Sequence, residues 1–348
     1  MFHRSFLIAV LFTLCGCCFS VPSSAQEVDC PYPSTKIWDL AKYNAFTDII
    51  QFKGYFYCTF RESSYGHVVG SKTGVGDGEV RIIRSVDGEK WESVAILKRK
   101  TFDLRDSKLS ITPDGRIMVS MGGSIYVNGR LEGRISQVSF SDANGLNFSD
   151  PQDTIIDESI RSNFDWLWRV TWHEGVGYGV VYQNMPVAPH WHLYLVKTTD
   201  GIHYQNIKKL EIVGCPNETT VRFAPNGDMK ILIRRECAGR GAYLGTAKAP
   251  YTDWKFTDIG VFLGGPNFIY LPDGRILAGG RVRGELAGLG IIDDAGKFQP
   301  LYALARTWDS SYPGFTIRDG VVYVSYYANR NGKTDIYLTK IPLDGLKK

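Results

Sequence analysis

The stretch Asp114-Gly115-Arg116-Ile117-Met118-Val119 places a turn glycine directly before a short apolar strand, and this arrangement recurs along the chain. The glycines at this position are Gly54, Gly115, Gly175, Gly227, Gly274 and Gly320. They are roughly 50 residues apart, and each also follows a short strand that begins polar and ends apolar. Repeats of strand, turn and strand at this period are typical of β-propellers, with one blade per repeat. The sequence therefore predicts an all-β fold, a six-bladed β-propeller.

The first 25 residues have the composition of an export signal. His3 and Arg4 precede a short apolar run, and Ser23-Ser24-Ala25 offers a small-residue cleavage site. A lipoprotein signal, with Cys17 as the lipid-carrying residue, is the alternative interpretation. No later segment is long and apolar enough to be a transmembrane candidate. We predict a signal peptide at 1–25, one propeller domain at 26–348, and a secreted or periplasmic monomer, or a lipid-anchored one in the second interpretation.

The overall charge and the cysteine content exclude several classes of protein. The formal net charge is +4, without the runs of lysine and arginine that bind nucleic acid. No spacing of histidine or cysteine indicates a metal site, and no glycine pattern indicates a nucleotide, so we predict no metal and no cofactor. Cys215 and Cys237 fall in one repeat, where they either form a disulfide or remain two small buried side chains.

A second turn follows the hairpin in several repeats. Ser85-Val86-Asp87-Gly88-Glu89-Lys90-Trp91 recurs as Thr198-Thr199-Asp200-Gly201-Ile202-His203-Tyr204. A looser copy is Ser141-Asp142-Ala143-Asn144-Gly145-Leu146-Asn147-Phe148. The hydroxyl and carboxylate side chains bond the turn backbone, the glycine takes a positive φ, and the aromatic residue packs between sheets. The pattern resembles the Asp-box of sialidase-type propellers, a structural turn that contributes nothing to the site.

The repeat also predicts which residues meet at one rim of the propeller. Two strands joined by a tight turn have their far ends on the same side, so residues at a fixed distance from each turn glycine lie close together. The candidate site residues found in this way, together with their neighbours in the chain, are Arg61, Glu62, His67, Arg105, Asp106, Arg169, Glu218, Arg234, Arg235, Arg281 and Tyr312. The rim therefore combines arginines, carboxylates and a tyrosine.

This combination of residue types favours work on an acidic glycan. A guanidinium binds two oxygens of a carboxylate, sulfate or phosphate at once. Paired carboxyl groups around a sugar ring supply the general acid and the base or nucleophile of glycoside hydrolysis. Tyrosine replaces the carboxylate nucleophile where the sugar is itself negatively charged, because a neutral nucleophile avoids repulsion.

The order of these residues resembles the sialidase (neuraminidase) superfamily, which runs arginine, aspartate, glutamate, arginine, arginine and tyrosine along a six-bladed propeller. The resemblance implies that Asp106 is the acid/base, Tyr312 the nucleophile and Glu218 the base that activates the tyrosine. It also implies that Arg61, Arg234 or Arg235, and Arg281 hold a substrate carboxylate. The chain departs from the family where sialidases carry Phe/Tyr-Arg-Ile-Pro, since it has Phe46-Thr47-Asp48-Ile49 there. We therefore expect a divergent exo-glycoside hydrolase acting on an acidic or substituted sugar.

Two other functions fit the same residues. A polysaccharide lyase would use arginine to neutralise a uronate, while His67, Tyr312 or His173 moves the proton. A glycan-binding propeller without catalysis would stack sugar rings on its tryptophans. Those tryptophans are Trp166, Trp168, Trp172 and Trp191.

Overall fold

The computed structural model describes residues 28–64, 66, 78–184, 191–237, 239, 241–282 and 286–347. The predicted export segment, with Cys17, and the candidate His67 lie outside the described residues. The described part of the chain forms 27 strands and one short 3-10 helix, so the fold is all-β as predicted. It contains no helix of the length and apolarity that crossing a membrane requires.

The strands follow the repeats along the chain. The first strands are β1 (Val28–Asp29), β2 (Ser34–Trp38), β3 (Tyr43–Phe52), β4 (Tyr55–Ser63), β5 (Glu79–Ser85), β6 (Glu92–Leu97), β7 (Phe102–Ile111), β8 (Ile117–Val127), β9 (Arg130–Phe140) and β10 (Gln152–Asp153). The next are β11 (Ile155–Ile156), β12 (Asp165–Leu167), β13 (Thr171–His173), β14 (Val176–Gln183), β15 (His192–Thr198), β16 (His203–Lys209), β17 (Pro216–Phe223), β18 (Met229–Arg235), β19 (Tyr243–Ala247) and β20 (Lys255–Asp258). The last are β21 (Leu263–Tyr270), β22 (Ile276–Val282), β23 (Leu286–Ile292), β24 (Phe298–Arg306), β25 (Ser310–Arg318), β26 (Val321–Arg330) and β27 (Lys333–Pro342), before the 3-10 helix Leu343–Leu346.

The strands pair in five hydrogen-bonded sheets. Four of these sheets are built on the antiparallel strands of one repeat each, starting at β7, β12, β17 and β21. The fifth sheet has eight strands and holds both the first and the last repeat, in the order β25-β26-β27-β3-β4-β5-β6. Its two halves join through one parallel pair, Thr334 with Tyr43, and β2 pairs with β27. The arrangement is propeller-like, with four separate sheets and one larger joined sheet in the described part of the chain.

The first strands of the repeats contact one another in a closed sequence. β3 contacts β7, β7 contacts β13, and the contacts continue through β17, β21 and β25, which returns to β3. Buried and half-buried side chains near the centre fix these neighbours by hydrogen bonds to the backbone of an adjacent repeat. These bonds run from Thr171 to Val221, Thr220 to Pro266, Asn267 to Pro313 and Thr47 to Tyr312. Neighbouring repeats are therefore held in register around the centre. Several candidate residues lie close by, near the starts of the first strands.

The turns that carry the repeated Ser/Thr-x-Asp-x-Gly pattern have the hydrogen bonds that the sequence predicts. Ser85 Oγ accepts from the Gly88 amide at 2.8 Å, and Asp87 accepts from two following amides. Gly88 has a φ of +75°, which explains the glycine. The same bonds occur around Asp200 and Gly201. These turns therefore stabilise the repeat.

The two cysteines in the fourth repeat are joined. Cys215 and Cys237 form a disulfide, which resolves the alternative that the sequence left open. The bond ties the start of β17 to the end of β18 next to Glu218 and Glu236. Cys58 is a buried thiol and Cys30 a partly buried one.

A buried ion pair crosses the centre between the first and third repeats. Asp48 Oδ2 accepts from Arg169 Nη1 at 2.5 Å and from the Leu109 amide at 2.9 Å. Asp48→Ala leaves a buried guanidinium unpaired, so we expect the free energy of unfolding to fall by about 3–5 kcal/mol. Urea denaturation measures this loss. The double variant Asp48→Ala with Arg169→Met removes both charges and should recover part of the lost stability. A double variant that loses as much stability as Asp48→Ala alone would contradict the assignment of a buried ion pair.

Candidate active site

A cavity of about 230 Å³ opens at the rim where the first strands of the repeats begin. Its lining includes six of the predicted residues, which are Arg105, Asp106, Glu218, Arg234, Arg281 and Tyr312. A wider groove of about 850 Å³ lies among the turns that carry Asp114, Asp142 and Asp200. Of the described residues proposed to act on or bind a sugar, only Trp172 lines that groove, and none of the described candidate rim residues does, so the smaller cavity is the candidate active site.

β-Bulges direct side chains into this cavity. The pairing register shifts at the start of β3, β7, β17, β21 and β25, so that two residues of each strand oppose one of its neighbour. Four bulge residues have a positive φ, namely Phe46 at 66°, Asp106 at 56°, Gly265 at 61° and Tyr312 at 55°. This backbone costs a non-glycine residue about 1–2 kcal/mol. Such strain is concentrated at functional sites, and here it re-aims Asp106 and Tyr312 toward the cavity.

Tyr312 and Glu218 form the central pair of the site. The Tyr312 hydroxyl donates a short hydrogen bond to Glu218 Oε1, and both residues are buried. The other carboxylate oxygen, Oε2, accepts from Arg234 Nη1 at 2.7 Å and from the Gly265 amide at 2.8 Å. One oxygen of Glu218 is therefore held in place while the other faces the phenol.

The electrostatics of this pair favour an ionised Glu218 and a neutral Tyr312. Burial acts to raise the pKa of Glu218, but Arg234 and the hydrogen bonds from Tyr312 and Gly265 outweigh it and lower the pKa. Burial raises the pKa of Tyr312 well above its ordinary value, and the charges of Glu218 and Asp106 raise it further. Glu218 is therefore the group placed to accept a proton from Tyr312.

Asp106 is the second carboxyl group of the cavity. Burial in the cavity raises the pKa of Asp106 to about 6. The negative charge of Glu218 adds to this rise, and the positive charge of Lys108 opposes it. The residue is mostly buried and only partly exposed at the mouth of the cavity. Two carboxyl groups with pKa values shifted in opposite directions, one up and one down, are suited to separate acid and base roles.

Arg281 reaches the cavity from the fifth repeat. Its guanidinium donates to Tyr327 Oη at 2.8 Å and to the Ser310 carbonyl at 3.2 Å, and it forms an ion pair with Asp309. Arg234 pairs with Glu236 as well as with Glu218. These contacts fix both guanidinium groups at the cavity wall.

The predicted first arginine lies beneath the cavity wall. Arg61 is buried in a bidentate ion pair with Asp103, and Arg105 pairs with the same carboxylate. Burial acts to raise the pKa of Asp103, but the two arginines lower it to about 2. Of the two arginines, only Arg105 lines the cavity.

Four other predicted residues do not reach the cavity lining. Glu62 accepts from Trp38 and pairs with Arg81, and Arg169 pairs with Asp48. Arg235 turns away to Asp258 and the Gly241 carbonyl. His173, a candidate base for a lyase, stacks on Phe223 with ring centres 4.0 Å apart, outside the cavity.

Comparison with known proteins gives a fold but no sequence family. No family model matches the chain, and no curated protein matches it by sequence. A protein of unknown function from Dyadobacter fermentans has a similar structure, with a TM-score of 0.75 and 19% identity over 90% of this chain and 98% of that chain. Trypanosoma rangeli sialidase has a TM-score of 0.66 and 13% identity over 88% of this chain, which spans 56% of the sialidase. The fold is that of a sialidase-like β-propeller.

A second kind of glycosidase shares this sialidase-like propeller. The GH93 α-L-arabinofuranosidase of Fusarium graminearum, solved with arabinobiose, has a TM-score of 0.69 and 15% identity over 91% of this chain and 99% of that chain. Identities at this level establish the fold alone. The residues of the cavity must therefore carry any argument about function.

Several cavity residues of this sialidase-like propeller were absent from the sequence prediction. They include Phe46, Arg134 and Asn184. Phe46 follows the same bulge rule as Asp106 and Tyr312, and its ring lies edge-on to Tyr312 with centres 4.9 Å apart. The missing sialidase arginine belongs to the next position, Thr47, but alignment of the bulges could have found Phe46.

Gly265 supports the central pair through its lack of a side chain. A Cβ at this position would lie 2.6 Å from Tyr312 Cδ2, and its φ of +61° is unfavourable for alanine. We expect Gly265→Ala to displace the Tyr312 ring and lower kcat about 10²-fold, in line with the effect of small misplacements in active sites. Steady-state kinetics with an aryl glycoside that the wild-type protein cleaves measures this effect. Gly227→Ala, which also has a positive φ but open space, is the control, and equal activity losses in both variants would contradict the argument.

Proposed function

We propose that this protein is an exo-acting glycoside hydrolase, with Tyr312 as nucleophile, Glu218 as its base and Asp106 as the general acid/base. The observation that carries the proposal is the hydrogen bond from the Tyr312 hydroxyl to Glu218, in a cavity that also contains Asp106. The sialidase and arabinofuranosidase folds among the similar structures are consistent with it.

The reaction proceeds in two balanced steps. In the first, Tyr312 Oη bonds to the anomeric carbon and gives its proton to Glu218, while the glycosidic C–O bond breaks and Asp106 protonates the leaving oxygen. In the second, water attacks the anomeric carbon of the glycosyl-tyrosine and gives a proton to the Asp106 carboxylate. The tyrosine oxygen leaves and recovers its proton from Glu218. The outcome is retention of configuration.

We infer that the substrate is an anionic or otherwise substituted sugar. A tyrosine nucleophile suits a sugar with its own negative charge, since a carboxylate nucleophile would repel it. Arg105, Arg134, Arg234 and Arg281 all line the cavity, against the carboxylates of Asp106, Glu218 and Glu236. Arginine is well suited to hold a carboxylate in this setting.

A substrate panel tests the function directly. It comprises the 4-methylumbelliferyl glycoside of N-acetylneuraminic acid, aryl glucuronides and sulfated aryl glycosides, with 4-nitrophenyl α-L-arabinofuranoside as the neutral comparator. Release of the aryl group from one glycoside, together with a reducing end from the matching oligosaccharide, supports a hydrolase. A product that absorbs near 230 nm on a uronate polymer would instead indicate β-elimination, and retention of a ligand without turnover would indicate a binding protein.

We also propose that the eight-stranded sheet is the first and the last of six blades. A single parallel residue pair joins its halves, whereas antiparallel ladders extend through each half. The pairing of β2 with β27 supports closure of the propeller by the N-terminal segment. Export through the first 25 residues remains a prediction.

A further inference from the structure

A buried lysine lies against the nucleophile and takes no part in the steps given above. Lys108 is 3% exposed and follows Asp106 by two residues, where β7 resumes regular pairing after its bulge. Its ammonium lies 4.8 Å from the centre of the Trp168 ring and 5.5 Å from the centre of the Tyr312 ring. Within the described residues its hydrogen bond is to the Ser107 carbonyl at 3.2 Å, and no carboxylate forms an ion pair with it.

The groups that face Lys108 come from every strand around it. They are Asp106 on its own strand, Asp48 on β3, Arg169 between β12 and β13, Glu218 on β17 and Tyr312 on β25. Asp48 is already neutralised by Arg169. Burial and the charge of Arg169 lower the pKa of Lys108 to about 8, so its ammonium is charged at the lower pH where Asp106 is protonated.

We propose that Lys108 is a positioning residue that stabilises the phenolate character of Tyr312 through the face of its ring. The inference rests on the proposed function, because it requires Tyr312 to lose its proton as it attacks. A cation is attracted to an aromatic face, and the attraction grows when negative charge spreads from the phenol oxygen into the ring. Glu218 and Asp106 both oppose that charge and Arg234 favours it at the oxygen, while the ammonium of Lys108 lies 5.5 Å from the ring centre, where it acts on the ring itself.

Lys108 has a second, separable effect on the acid. Its charge lowers the pKa of Asp106, which burial alone would raise further. Removal of the charge should therefore raise the pKa of Asp106 and move the alkaline limb of the pH profile to higher pH. The same removal should slow the attack by Tyr312. A lysine that only filled space would change neither the limb nor the rate of the first step in this way.

The test compares Lys108→Met with the wild-type protein. We expect glycosylation of Tyr312 to slow about 10- to 30-fold, and the alkaline limb of kcat/KM to shift above its wild-type position. Glycosylation is followed by mass spectrometry with the 2-fluoro glycosyl fluoride of the sugar that the panel identifies. Lys230→Met is the matched control, since Lys230 is a half-buried lysine on β18 that donates to Thr246 outside the cavity.

The outcomes separate this inference from the proposed function. A folded Lys108→Met protein with a wild-type trapping rate and an unshifted limb would overturn the role of Lys108. Trapping of the wild-type protein at a residue other than Tyr312 would overturn the proposed function itself. If Lys108→Met does not fold, Lys108→Arg, which keeps the positive charge, takes its place in the test. An alkaline limb at the wild-type pH supports the electrostatic role of Lys108, and a limb shifted to higher pH refutes it.

Discussion

Tyr312→Phe should lower kcat by about 10³-fold or more on the substrate that the panel identifies. The change removes the one oxygen that would bond to the anomeric carbon and leaves the ring among Phe46, Trp168 and Tyr327. Binding should change much less, because the arginines of the cavity remain in place. Steady-state kinetics of the purified variant measures both quantities.

Tyr326→Phe is the matched control for this experiment. Tyr326 is a buried tyrosine of the last repeat whose hydroxyl donates to the Leu304 carbonyl at 3.3 Å, outside the cavity. Both variants lose the buried hydrogen bonds of one tyrosine hydroxyl, at a stability cost of about 1–3 kcal/mol, but only Tyr312→Phe loses the proposed nucleophile. Activity of Tyr312→Phe within tenfold of the Tyr326→Phe protein would rule out the covalent mechanism.

Glu218→Gln tests the same pair from the other side. The amide cannot take the phenol proton, so we expect a loss of the same order, and the double variant with Tyr312→Phe should lose little more. Groups that act as one unit show this strong non-additivity. Independent, multiplicative losses would mean that Glu218 and Tyr312 do not act together.

The repeat glycines predicted how far along each strand the cavity residues lie. They did not predict which other side chain each of these residues would contact. Counting from a turn glycine fixes how far along a strand a residue lies, and this is why Asp106, Glu218, Arg234, Arg281 and Tyr312 were found. It does not report tertiary pairing. Arg61 is at the same distance from its glycine as Arg234, yet Asp103 on the next repeat holds it below the surface.

The bulges explain most of what the sequence left hidden. A bulge shifts every side chain after it by one position, and its location depends on the pairing between strands. Phe46 therefore faces the cavity, although the comparison with the sialidase motif indicated only an arginine missing at the next residue, Thr47. The bulge that presents Asp106 also directs Lys108 inward. A lysine on a regular strand is ordinarily solvated, so nothing in the sequence indicated this burial.

We expect kcat/KM to fall as the pH rises through about 6, because Asp106, the proposed general acid, must be protonated and its pKa is raised to about 6. Activity should persist at acidic pH to below the ordinary range of a glutamate, because Glu218 must be ionised and its pKa is lowered. Asp106→Asn should abolish the alkaline limb and reduce kcat/KM by about 10²–10⁴-fold on an oligosaccharide. The reduction should be smaller for a nitrophenyl glycoside, whose leaving group needs little protonation.

Asp165→Asn provides the comparison for this last experiment. Burial also raises the pKa of Asp165, but its carboxylate binds Ser162 and Gln183 outside the 230 Å³ cavity, so its loss should leave the alkaline limb in place. An Asp106→Asn protein that retains the wild-type limb would assign the titration to another group. Equal rate losses on the oligosaccharide and the nitrophenyl glycoside would show that Asp106 does not protonate the leaving group, since only that role depends on the basicity of the departing oxygen.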